Sequence, residues 1–346
     1  MITLVFLSSA LFLGWSMGAN DAANIFGTAV GSRMLKFITA ATLAGVFIVI
    51  GSTVGGGATE TLSKLGSVNV LAGAFGVTLA SAITVAIMTK LGLPVSSSQA
   101  IIGGIIGWNI YVGQPTEMRL VTKIASTWLI NPLLAMIFAF VLFFIVRTLF
   151  NRSRIHLLRR DSVTRVGLIV IGAFGAYNLG ANGISSVMGV FVHSNPFPAI
   201  NYGVISLSAQ QVLFFVGGFA IAMGVITYSR KVMMTVGSDI YRLSPVGALI
   251  VVMSVSMVLF LFSSRSLHDF LISHNLPALP LVPISSSQAS VGSVIGVALA
   301  KKGRNINLRA LGRISIGWLS TPLTAVVITV AILFLLDHIL GVNLIA

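Results

Sequence analysis

Apolar runs of about 20 residues recur along this whole chain, separated by short basic clusters. A run of that length matches one helical crossing of a bilayer. The runs lie near 2–28, 37–57, 68–90, 94–112 and 121–149, and again near 166–192, 205–228, 244–262, 283–299 and 314–340. Of the 346 residues 56% are apolar and only 8% charged, too few charges to cover a soluble surface. The chain therefore reads as an all-α integral membrane protein with many crossings. The N-terminal MITLVFLSSALFLGW has no basic leader and runs into more apolar sequence, so it reads as a retained first helix. No organelle-targeting segment is recognised, which makes the plasma membrane the default location.

The net charge is +14, but the basic residues sit in short clusters between apolar runs, the pattern that sets membrane orientation rather than nucleic-acid binding. The stretch 151–165 holds five Arg and one Asp and is expected in the cytoplasm. Counting outward, 32–36, 228–242 and 301–313 also fall inside. Segments 59–66 and 190–203 fall outside, as do both termini. Five crossings per half force the second half into the opposite orientation, the inverted-topology repeat of many secondary transporters. The expected division is 1–150 for the first repeat, 151–165 for a basic cytoplasmic linker and 166–346 for the second repeat. The chain has no cysteine, and its five histidines show no ligand spacing. With no nucleophile–base pair in the spans, neither an enzyme nor a resident cofactor is expected.

Internal matches support a duplication. GANDAANIFG (18–27) matches GANGISSVMG (180–189), PVSSSQA (94–100) matches PISSSQA (283–289), and WLINP (128–132) matches WLSTP (318–322). Behind each serine string, Gly103-x-x-x-Gly107 matches Gly292-x-x-x-Gly296. All four matches fall in the same order.

Proline breaks a helix, serine caps one, and the residues that follow each string suit a membrane helix. Each string is thus expected to start a half-helix at membrane depth. The start of a helix exposes N–H groups and the positive end of its dipole, which attract anions. Ser96, Ser97 and Ser98, with Ser285, Ser286 and Ser287, add hydroxyl donors. In GANDAAN, Asp21 is an acid placed well inside a span, and such an acid is costly unless it has a use. Asn20, Asp21 and Asn24 offer hard oxygens at an expected helix break, suited to an alkali cation or a proton. Asn182 recurs in the second copy, where Gly183 stands opposite Asp21. Gln99 and Gln288 complete the candidate set. An anion held by dipoles and hydroxyls beside an acid points to cation-coupled transport.

GANDAANIFGTAVGSR, the paired Pro-x-Ser-Ser-Ser-Gln strings, KVMMTVGSDIYRLSP (231–245) and WLSTP together resemble the inorganic phosphate transporter (PiT) family over nearly the whole chain. The resemblance implies symport of inorganic phosphate with sodium, or with protons in some members, by alternating access. It also implies two inverted repeats with re-entrant hairpins in lipid, with both termini outside, often as a homodimer. Asn20, Asp21, Asn24 and Asn182 match its signatures. The family's second signature usually carries an Asp where this chain has Gly183. Some relatives resemble sulfate permeases, so a sulfate or related oxyanion permease stays open beside phosphate, as does proton coupling. Acceptors at Asp21, Gln99 and Gln288 favour phosphate, which donates hydrogen bonds, over sulfate. A passive anion channel is disfavoured, because the spans contain no charged ring.

Overall fold

The computed structural model describes residues 2–66, 68, 70–91, 95–153, 156–203, 205–239, 243–303, 306–342 and 344. Twelve α-helices are assigned: α1 (Ile2–Gly31), α2 (Phe37–Val54), α3 (Thr59–Leu65), α4 (Leu71–Lys90), α5 (Ser97–Val112), α6 (Met118–Arg152), α7 (Leu157–Met188), α8 (Ala209–Asp239), α9 (Pro245–Ser263), α10 (Arg265–Ser273), α11 (Ser286–Ala300) and α12 (Leu308–Phe334). A 3₁₀ turn (Gly189–Ser194) and a small antiparallel hairpin, β1 (Ile200–Tyr202) with β2 (Ile205–Leu207), join α7 to α8. Among the described residues seven helices are long and apolar enough to cross a membrane: α2, α4, α6, α7, α8, α9 and α12.

The stretches drawn as spans at 94–112 and 283–299 fold differently. α5 has 16 residues and α11 has 15. At 1.5 Å per residue neither reaches across a hydrocarbon core of about 30 Å. Each is preceded by a serine in extended backbone, Ser96 and Ser285. Both helices are almost wholly buried in the protein, which is what allows a helix to begin at depth. Pro94 lies outside the described residues, as do Arg154, Tyr241, Arg242 and Arg304 of the basic and family segments. The stretch 151–165 is not an extended linker. α6 runs to Arg152 and α7 starts at Leu157, so most of its arginines sit on helix ends.

The break expected at Asn20–Asn24 is absent: α1 runs through it. The segment has no proline, and its small residues Ala19, Ala22 and Ala23 are buried against neighbouring helices. Glycine packing explains why. A Cβ on Gly18 would collide with the Ile221 carbonyl of α8, and a Cβ on the matching Gly180 would collide with the Ile48 carbonyl of α2. The serine-string helices dock the same way. Gly103 of α5 abuts the Pro322 carbonyl of α12, and Gly292 of α11 abuts the Pro132 carbonyl of α6. Each matched glycine thus packs on a helix from the other half of the chain. Leu129, Leu133 and Phe140 on α6 and Leu319, Leu323 and Val327 on α12 are exposed, giving those helices apolar outer faces suited to lipid.

Candidate functional site

The first turns of α5 and α11 converge on one face of α1. Ser97 Oγ donates to Asp21 Oδ2 at 2.7 Å. Asn24 Nδ2 donates to Ser286 Oγ at 3.0 Å. Residues 21 and 24 are three apart, so they share a helix face. Ser286 also lies beside the Asp21 carboxylate. The four residues come from sequence positions up to 265 apart, and all are buried. Among the described residues Asp21 is the one buried charged side chain.

Within each serine string the hydroxyls divide their work. Ser96 Oγ accepts from Gln99 N at 3.2 Å and lies 3.0 Å from Ser98 Oγ. Ser285 Oγ accepts from Gln288 N at 3.2 Å and lies 2.9 Å from Ser287 Oγ. Ser96 and Ser285 are therefore N-caps tied to the third serine of their string. The middle serines, Ser97 and Ser286, are the ones that face α1.

The other two asparagines of the set point elsewhere. Asn20 Nδ2 donates to Thr89 Oγ1 of α4 at 2.9 Å. Asn182 makes a double clasp on the chain entering α11: its Nδ2 donates to the Ile284 carbonyl at 2.9 Å, and Ile284 N donates to its Oδ1 at 3.0 Å. Asn182 thus fixes where the second serine string begins. Asn131 was not foreseen. Its Nδ2 donates to the Ser285 carbonyl at 2.7 Å, so a residue of WLINP steadies the opposite half's string.

Five buried acceptor oxygens around these elements have no hydrogen-bond partner: Asp21 Oδ1, Asn24 Oδ1, Gln99 Oε1, Asn131 Oδ1 and Gln288 Oε1. Orphaned acceptors at such density are costly unless something cationic or hydrogen-donating meets them. All are hard oxygens, of the kind that bind alkali and alkaline-earth cations rather than soft metals. Among the described residues no cluster of three or more His, Cys, Asp or Glu is present.

The place opposite Asp21 is filled. A Cβ on Gly183 would collide with Met17 Cε and sit 2.8 Å from its Sδ. The α1 thioether occupies the room that a second acidic side chain would need.

Comparison with known proteins agrees with this architecture. The phosphate transporter family model matches residues 17–162 and 151–329. A protein of Methanocaldococcus jannaschii described as "Putative phosphate permease" is 25% identical over 92% of this chain and 93% of its own length. A Bacillus subtilis protein named "Sulfate permease CysP" is 28% identical over 86% of this chain and 77% of its own. A solved structure titled "The sodium-dependent phosphate transporter" superposes with a TM-score of 0.78 at 22% identity, covering 98% of this chain and all of that one, which establishes a shared fold. The family match spans nearly the whole sequence and both halves of the site, and the chain belongs to the phosphate transporter family: it is a multi-pass membrane transporter, not an enzyme.

Proposed function

We propose that this chain imports inorganic phosphate by symport with a cation, sodium being the coupling ion, through alternating access. The observation that carries the reading is the convergence of two serine-headed helix starts on the buried Asp21. Helix N-termini and the hydroxyls of Ser97 and Ser286 form an anion cradle. Asp21 opposes an anion placed there. Two unit charges about 4 Å apart interact by about 4 kcal/mol at an effective dielectric constant of about 20. A cation held by Asp21, Asn24, Gln99 and Gln288 cancels that repulsion, so anion and cation bind together or poorly. Coupling then follows from electrostatics. Ser96, Ser98, Ser285 and Ser287 shape the two helix starts, and Asn20 and Asn182 orient their surroundings.

In this reading residues 1–150 and 166–346 are inverted repeats joined through the basic stretch 151–165, with both termini outside. The crosswise glycine contacts support it, since matched glycines meet matched partners of the opposite half. Rocking of one half against the other would expose the cradle to each side in turn. A homodimer in the plasma membrane lipid is the assembly that goes with the reading.

A second reading is supported by the 28% identity to the sulfate permease. In it the same cradle carries sulfate or a related oxyanion. Radiolabelled phosphate uptake into proteoliposomes separates the two. A sodium gradient and a proton gradient are imposed in turn, each with and without excess unlabelled sulfate. Sodium-driven accumulation that sulfate leaves intact is the expected result. Uptake driven by protons alone reassigns the coupling ion, and abolition by sulfate reassigns the substrate.

A further inference from the structure

A cavity of about 870 Å³ opens between α2, α7, α8 and the α9–α10 corner, apart from the serine strings. Its lining includes Ser263, Ser264, Arg265 and Ser266, and Gln211 on the facing wall. Among the described residues no Asp or Glu lines it. We propose that this cavity is a second oxyanion site, which captures phosphate or sulfate at the Arg265 guanidinium before it reaches the cradle. The proposal rests on the oxyanion-transport reading above.

Three independent features converge there. Arg265 is the first residue of α10, a nine-residue helix, so its charge adds to a helix start whose first N–H groups lack intrahelical partners. Ser264 caps the helix by accepting from Leu267 N at 3.2 Å, which leaves the neighbouring donors for a ligand. Ser263 is 5% exposed, lines the cavity, and its Oγ has no hydrogen-bond partner. A buried hydroxyl without a partner is a group that a ligand atom would satisfy.

The nearby acids do not consume the guanidinium. Asp269 approaches Arg265 only to 3.9 Å, with both side chains largely in solvent. Glu60 is held by Lys64 at 2.7 Å, and that hydrogen bond is the main cause that keeps its carboxyl below the usual carboxylate range, with the Arg265 charge a smaller one. The cavity also adjoins the machinery of the cradle. Ala181 lines it, accepts from Gly56 N at 3.2 Å, and precedes Asn182, which clasps the start of α11. The charge pattern puts this end of the molecule outside, on the uptake side.

The two sites differ in one respect that can be measured. The cradle faces a carboxylate and needs a cation; the cavity has the Arg265 guanidinium with neutral amides and hydroxyls in its lining and does not. Equilibrium binding of radiolabelled phosphate to the purified full chain is therefore measured in sodium-free choline buffer and then with sodium, with sulfate as a second probe. Sodium-free binding should be present in the wild type, displaced by sulfate, and lost in Arg265→Gln. Arg265→Lys should retain part of it. In proteoliposomes Arg265→Gln should raise the KM for phosphate about tenfold, the order of one charged hydrogen bond, with the larger change in KM rather than in the maximal rate. Ser263→Ala, a smaller change, should weaken sodium-free binding severalfold and serves if Arg265→Gln does not fold. Absence of sodium-free binding in the wild type overturns the proposal, as does binding that both variants leave intact. Failure of sodium to add a second class of binding sinks the coupling reading and leaves the cavity standing.

Discussion

The two signature segments, 18–27 on α1 and 180–189 on α7, occupy matched positions and make matched contacts, yet they do different chemistry. Gly18 and Gly180 each press against a carbonyl of a helix from the other half. Asn20 donates to the Thr89 hydroxyl, whereas its counterpart Asn182 spends both ends of its amide on backbone. Asp21 meets Ser97; its counterpart Gly183 meets the Met17 thioether. The packing contacts of the two segments match and their polar contacts do not. The packing glycines are constrained because a collision with a backbone carbonyl cannot be relieved by moving a side chain. A polar residue lining a site carries no such constraint once one copy suffices. One half then supplies the carboxylate and the other supplies a rigid seat.

The hardest test of this inequality is Asp21→Asn. The variant keeps shape and hydrogen bonding and removes the charge. Sodium-driven uptake should fall by about 100-fold, the loss of roughly 3 kcal/mol of cation stabilisation, while expression and thermal stability hold or rise. Uptake at the wild-type rate would move the coupling charge elsewhere.

The converse experiment tries to restore symmetry. Gly183→Asp alone displaces the flexible end of the Met17 side chain and should lower stability by about 1 kcal/mol, the low end for overpacking, read as a small drop in Tm. Met17→Ala with Gly183→Asp opens the space. That double variant should recover much of the Tm and carry one more cation per phosphate, seen as a more positive transport current. A double variant with unchanged stoichiometry would mean that the α7 position no longer faces the ion path.

Much of this was legible in the sequence because its constraints are local. Serines followed by apolar residues mark helix starts, and Ser96 and Ser285 are N-caps as expected. The pairing of Gly-x-x-x-Gly with the Trp-Leu-x-x-Pro strings was visible as two repeats; that they pack on each other was not, since spacing along the chain says nothing about which helices meet. The helix break at Asn20–Asn24 is an expectation from polarity, and polarity alone does not break a helix that has no proline and whose small residues pack on their neighbours. The roles of Thr89, Asn131 and Met17 depend on contacts between distant segments and carry no mark in the local sequence. The division of labour within each serine string is also a property of three dimensions: of three identical residues, the outer two meet each other and the middle one faces α1.

Removal of the middle serines probes the cradle itself. Ser97→Ala with Ser286→Ala deletes two hydroxyls at the buried acid. Hydrogen bonds to charged groups contribute about 1.5–3 kcal/mol each, so the KM for phosphate should rise by an order of magnitude or more. The single variants should differ. Ser97 gives its hydroxyl to the carboxylate at 2.7 Å, whereas Ser286, beside the same carboxylate, also accepts from the Asn24 amide, so loss of Ser97 should alter sodium dependence more. An equal response to sodium in both single variants would contradict the unequal halves.

The cap serines give the smallest effects and the opposite expectation. Ser96 and Ser285 each accept from the backbone N–H three residues on, both at 3.2 Å, and each is tied to the third serine of its string. They belong to the scaffold that the two halves share. Ser96→Ala and Ser285→Ala should each cost about 1 kcal/mol of stability, the usual value of an N-cap, with similar shifts in Tm. Neither should change the sodium dependence of uptake. If the two caps proved unequal, with Ser285→Ala the milder, the clasps of Asn182 and Asn131 on the Ile284 and Ser285 backbone would account for it, because they hold the start of α11 by other means. Adding Asn131→Ala to Ser285→Ala would then bring out the hidden cost, and the asymmetry between the halves would reach below the chemistry into the way each helix start is held.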